Sequence, residues 1–123
     1  MVRTTLAAGA VAALTLAFGA TAFARADATR LKGTVGPGFT ISLTKNGHKV
    51  RTLKAGTYTF VVADKAAIHN FVLEQEKGGK FEKTLTGVSF MGTKTVTIKL
   101  RAGKWKFYCA PHESIMFGFF NVT

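Results

Sequence analysis

Cysteine is almost absent from this chain: Cys109 is the only one in 123 residues. A lone thiol excludes an internal disulfide. It leaves three readings, a leftover buried residue, an intermolecular bridge or a metal ligand. Proline is nearly as scarce, with only Pro37 and Pro111, so no periodic stretch is interrupted. Acidic residues are few, six against seventeen Lys and Arg, for a formal charge of +11. Such a balance favours anionic partners: an acidic protein, a phospholipid surface or a cell-wall polymer. The basic residues are spread along the sequence rather than clustered, which also suits a plain solvated surface.

The first residues differ in character from the rest. Arg3 gives a short positive start, Leu6 to Phe18 is an uncharged run of Leu, Ala, Val and Phe, and Ala24-Arg25-Ala26 places small residues where a signal peptidase reads. This is the three-part pattern of a secretory signal peptide over residues 1–26, cut near Ala24 or Ala26. Uncut, the run would be a membrane anchor, although it is short for a span of about 20 residues. The lack of a twin-arginine pair and of a lipobox cysteine favours the general secretion route. Residues 27–123 are then one domain with fifteen basic and six acidic residues, a formal charge of +9. Export argues against nucleic acid as the partner. In an oxidising compartment cysteines usually come in pairs, so the unpaired Cys109 calls for a reason.

Nearly every patterned stretch has period two. Phe39, Ile41 and Leu43 alternate with Thr and Ser; so do Tyr58, Phe60 and Val62, then Val96, Ile98 and Leu100, then Trp105, Phe107 and Cys109 with lysines and Tyr108 between. Alternation rich in Thr, Val, Ile and aromatics predicts half-buried strands. Ile68–Glu74 and Phe117–Thr123 are apolar on both faces and are expected as central strands. The separators are turn signals: Asn46-Gly47 for a tight hairpin, and the similar Lys54-Ala55-Gly56 and Arg101-Ala102-Gly103, each ahead of an aromatic-rich strand. The polar stretch Glu74–Glu82 is expected as a loop. No helix is predicted, and seven or eight short strands in one domain of this length point to an all-β sandwich.

Chemistry concentrates in Tyr108-Cys109-Ala110-Pro111-His112-Glu113-Ser114-Ile115-Met116-Phe117-Gly118, with the spacing Cys-x2-His-x3-Met. A second imidazole, His69, stands in Ile68-His69-Asn70-Phe71. Taken singly, each has an ordinary reading: Cys109 as a core residue in phase with Phe107, His69 as a bonded core histidine, Met116 as filler, His112 as a loop residue. Together they are two imidazoles, a thiolate and a weak thioether, the ligand set of a blue copper site. Thiolate and thioether suit Cu(I), and imidazole serves both oxidation states. Such a mixture needs little rearrangement when an electron moves. His48 sits in the hairpin turn between lysines and is read as exposed. Met91 is the only other internal thioether that could stand in for Met116.

These residues resemble the cupredoxins, in particular the small plastocyanin-like copper proteins. There an early His-Asn pair and a Cys-x-Pro-His…Met loop near the C-terminus hold the metal. The resemblance implies a Greek-key β-sandwich and one type 1 copper held by His69, Cys109, His112 and Met116. It also implies that Asn70 ties the two ligand segments together and that the His112 edge is the exit for electrons. The spacing departs from plastocyanins, which have four residues between the loop His and the Met where this chain has three. Pro111 has no N–H to give to the Cys109 sulfur, which should leave the thiolate electron-rich and lower the reduction potential. An apolar collar of Ile115, Phe117 and Pro37 is expected around His112.

Three functions remain to be weighed. The first is an exported monomeric one-electron carrier docking transiently, through His112, on a redox partner with an acidic surface. The second is a copper module for storage, delivery or sensing, and the third a copper-free adhesion sandwich. Peripheral attachment to membrane or cell wall is compatible with all three. An enzyme fits less well: a multicopper oxidase needs His-x-His pairs, and three histidines supply none. A catalytic zinc site does not ordinarily use Met.

Overall fold

The computed structural model describes residues 28–123 and, before them, only residues 9, 10, 12 and 13. The expected signal peptide is otherwise outside the described residues, as is its cleavage site. Among the described residues no helix is long and apolar enough to cross a membrane.

Alternating sequence becomes alternating burial. In β5 (Gly56–Asp64) Tyr58, Phe60, Val62 and Asp64 point inward, and Thr57, Thr59, Val61 and Ala63 lie on the outer side. Ten strands form two five-stranded sheets. The first contains β3 (His48–Lys49), β2 (Ile41–Lys45), β1 (Thr29–Val35), β5 and β8 (Gly92–Leu100), in that order. The second contains β4 (Thr52–Leu53), β10 (Phe117–Val122), β9 (Gly103–Tyr108), β6 (Phe71–Lys77) and β7 (Glu82–Thr86). Pairing is antiparallel except for β1 with β5 and β4 with β10. Neighbours distant in sequence, such as β9 and β6, mean that the chain crosses repeatedly between sheets, and the result is an all-β sandwich of the cupredoxin type.

Two of the ten strands are only two residues long, so the expectation of seven or eight substantial strands holds. Asn46-Gly47 turns the β2–β3 hairpin, with φ of 51° and 78°. Both residues of a type I′ turn need positive φ, which Asn and Gly tolerate best. Two expectations are corrected. Glu74–Glu82 is not a loop throughout, because β6 runs on to Lys77 and β7 begins at Glu82. Strand pairing across a bulge satisfies the polar residues' backbone, which composition alone could not show. The last strand is central in its sheet but not buried on both faces: Phe120 and Val122 are in the core, and Phe117 and Phe119 lie on the outer surface.

The interior is aromatic. Phe71 stacks on Phe107 with ring centroids 5.7 Å apart and planes 8° from parallel. Phe107 neighbours Phe120, Phe120 stacks on Trp105, and Trp105 meets Phe81. Contacts of this kind contribute roughly 0.5–1.5 kcal/mol each beyond burial. The Phe107 ring covers Gly118 so closely that any Cβ there would collide with it. The two similar segments do the same job: Tyr58 donates its hydroxyl to the Lys54 carbonyl at 2.6 Å, and Trp105 donates Nε1–H to the Arg101 carbonyl at 2.9 Å. Each ring is pinned to the turn four residues before it.

Strand register places the loops, apart from the 50–51 link between β3 and β4, at two ends. Val35, Ile41, Asp64 and Gly92 share one end of the first sheet, and Phe117, Tyr108 and Val72 share that end of the second. Loops 36–40, 65–70, 87–91 and 109–116 close it. The turns at 46–47, 54–55, 78–81 and 101–102 close the other.

Candidate metal centre

His69 lies in the loop between β5 and β6, and Cys109 and His112 lie in the loop between β9 and β10. The second loop is short and internally braced. Cys109 donates its N–H to the Met116 carbonyl at 3.0 Å, so the loop's two ends are bonded to each other. The Cys109 carbonyl accepts from His112 N–H at 3.1 Å, and the His112 carbonyl accepts from Met116 N–H at 2.9 Å. Pro111 stands in a single 3-10 turn, Ala110–His112, where its missing N–H costs nothing.

The side chains converge. His69 Nδ1 and His112 Nδ1 are 3.1 Å apart, and each is 3.7 Å from Cys109 Sγ. A triangle with those sides has a centre about 2.0 Å from every corner. That matches the ~2.0–2.3 Å bonds that nitrogen and sulfur ligands make to a first-row metal ion. Three lone-pair donors aimed at one point repel unless a cation or proton sits among them, so the arrangement fits a bound metal. Two nitrogens and a sulfur in a trigonal set select copper over calcium or magnesium, which take oxygen. Cys109 and His69 are buried, while His112 is half-buried, the one member of the set that reaches solvent.

The surrounding bonds hold the ligands in place. Asn70 Oδ1 accepts the Ala110 N–H at 2.7 Å, which joins the two ligand loops as the resemblance implied. The Asn70 backbone N–H points at Cys109 Sγ from 3.5 Å. Phe71 N–H donates to Thr86 Oγ1 at 3.0 Å, fixing the start of β6 just beyond His69. Lys106 pairs with Glu113 at 2.7 Å, tying the ligand loop to the sheet.

Sequence reasoning missed Phe39. The alternation placed it in a strand, but β2 begins only at Ile41, and the Gly36-Pro37-Gly38 turn swings Phe39 over the site. Its ring meets both imidazoles edge-on, with centroids 5.2 Å from His69 and 4.9 Å from His112. Glycines flanking a proline signalled a turn, but not what the turn would cover. The expected collar changes accordingly. Ile115 and Pro37 are exposed in loops at this end, whereas Phe117 packs against Phe119 and near the Lys106 ammonium on the outer face of the sheet. Met116 is fully buried beneath the ligand loop. His48 is exposed in the hairpin at the opposite end, and Met91 is exposed.

A two-histidine, one-cysteine centre at the loop end of a β-sandwich defines a mononuclear copper protein. The chain belongs to the copper binding proteins of the plastocyanin/azurin family, whose pattern matches residues 34–123. Its fold is similar to that of rusticyanin, a copper protein, at 19% identity over 76% of each chain, with a TM-score of 0.56. It is also similar to auracyanin A, a "blue" copper protein of the green thermophilic photosynthetic bacterium Chloroflexus aurantiacus. There the identity is 18% over 79% of this chain and 100% of that one, with a TM-score of 0.55. Comparison with curated proteins returns no match. His69, Cys109 and His112 are positioned to bind a single copper ion.

Proposed function

We propose that this is an exported type 1 copper protein that carries single electrons between redox partners, with Met116 as the axial ligand. The observation that carries the reading is the donor triangle of His69, Cys109 and His112, buried except at the His112 edge. Bound copper supplies the Cu(I)/Cu(II) couple. The protein holds the donors, through Asn70 and the bonds inside the ligand loop, in one geometry for both states. Phe39, Ile68, Val88, Met91 and Ile115 are exposed in the loops at the same end as His112. An apolar rim with an electron exit suits brief docking, since it buries little polar surface and releases readily. The partner is a redox protein of the same export compartment, and the carrier works as a monomer.

Loading with Cu(II) should give an intense blue band from the thiolate-to-copper transition, and the loaded protein should cycle reversibly at an electrode while keeping its metal. A colourless Cu(II)-loaded protein would sink the proposal. Ready transfer of copper to an acceptor chelator, with no reversible wave, would move it to a delivery role. Met116→Leu, close in volume, should keep the colour and raise the potential, because loss of a fourth ligand leaves a three-coordinate set that suits Cu(I) better than Cu(II). An unchanged potential would remove Met116 from the ligand set.

A further inference from the structure

The positive charge is not distributed as the sequence order suggests. In the four loops at the copper end the only formal charges are Lys65 and Glu113, which cancel. At the opposite end Lys45, Lys54, Lys77, Lys80, Arg101 and Lys104 occupy the turns or the strand residues beside them, and all six are exposed. Arg30 and Lys99, near the ends of β1 and β8, extend the group onto the first sheet. Glu76 and Glu82 are the acids beside Lys77 and Lys80 in sequence. Among the described residues only Lys106 and Glu113 form an ion pair, so these cations face solvent without carboxylate partners.

A second observation points the same way. The chain enters the sandwich at this basic end: Thr29 begins β1 and pairs with Tyr58, far from Val35 and Asp64 at the copper end. The apolar run Leu6–Phe18 precedes that entry by about ten residues. In sequence, then, the run leads into the domain at its basic end.

We propose that the basic end is a docking surface for an anionic phospholipid membrane, and that it holds the copper end facing away from the bilayer. The chemistry is that of clustered Lys and Arg over anionic headgroups, additive per cation and effective within a Debye length of about 8 Å at physiological salt. Nine residues of β5 separate the two ends by about 27 Å at ~3.3 Å per residue, so His112 stays clear of the surface and open to a soluble partner. This placement does not depend on the copper reading.

The test is flotation of the copper-loaded full chain with vesicles of phosphatidylcholine alone and of phosphatidylcholine with a quarter phosphatidylglycerol. The anionic vesicles should bind more tightly by tenfold or more at low salt, with the excess vanishing at high salt. Each neutralised cation of the basic end should weaken that excess by about fivefold. The combined variant Lys77→Gln, Lys80→Gln, Arg101→Gln, Lys104→Gln should therefore abolish it. Lys65→Gln with Lys94→Gln, at the copper end, should leave it within about twofold. The blue band of each variant reports separately whether the fold and the copper site survive. Equal binding to both vesicles overturns the proposal, as does an equal loss in the copper-end variant. Preferential binding to soluble polyaspartate over anionic vesicles also overturns it, in favour of an acidic protein partner.

Discussion

At one end of the sandwich four loops carry a cysteine, two imidazoles and five exposed apolar side chains, with one Lys and one Glu as their only formal charges. At the other end, closed by short turns of the same strands, exposed cations crowd together and the buried aromatics Trp105 and Phe120 fill the space between the sheets. The contrast separates two tasks that a net charge of +11 blurs. The proposed electron exchange would need a surface that binds briefly, and an apolar rim without net formal charge suits it. Attraction over distance needs uncompensated charge, and that sits about 27 Å away. An acidic redox partner, as the net charge leads one to expect, would be drawn first to the end that lacks copper. It would reach His112 only by turning.

The sharpest way to break the comparison is at the thiolate. Cys109→Ser should remove the blue absorption altogether while leaving the β-sheet circular dichroism in place, because a small buried side chain is replaced by one of similar size. Acid should bleach the wild type as well, since an unprotonated imidazole pair and a thiolate are required. Persistent colour in the serine variant would move the metal to other ligands.

Next in size is the opposite end. Trp105→Ala should lower unfolding stability by about 3–5 kcal/mol, measured by denaturant unfolding, yet leave the absorption maximum of the copper-loaded protein unchanged. Trp105 packs on Phe120 and Phe81 and donates to Arg101, and it touches no ligand in these contacts. A shifted maximum would show the two ends to be mechanically coupled.

Asn70→Ala should cost about 1–3 kcal/mol, because the Ala110 N–H loses its acceptor in a partly buried place. The variant should also release copper to a chelator faster than the wild type, since the two ligand loops are no longer joined. Unchanged release kinetics would reduce Asn70 to a packing residue.

The smallest effect belongs to the outer face of the second sheet. Burial, together with a hydrogen bond to Glu82 at 2.7 Å, pushes the Tyr108 phenol well above its ordinary value. A folded-state value above the unfolded one means that the contribution is complete below about pH 10 and fades as pH rises through the folded value. Tyr108→Phe should therefore cost about 1–2 kcal/mol at pH 7, with the difference from wild type shrinking in strong alkali. A difference that is constant with pH would exclude the hydrogen bond as its source.

Much was legible in the residues alone. Period-two alternation fixed which side chains of β5, β8 and β9 face inward, because a strand has only two faces and burial selects one. Asn46-Gly47 announced its turn, because few residues accept positive φ. Cys109, His112 and His69 were identifiable as a ligand set because donor chemistry and spacing are local properties of the chain. Other features could not be read this way. Phe39 covers the imidazoles only because a loop brings it there, and Phe117 lies outside because β10 has sheet partners on both edges but nothing over that face. The cations are spread evenly in sequence and gathered in space, because antiparallel pairing returns the chain again and again to the same end. Composition determined that this protein is basic and that it can hold copper; only the folded register decided that the charge and the metal lie apart.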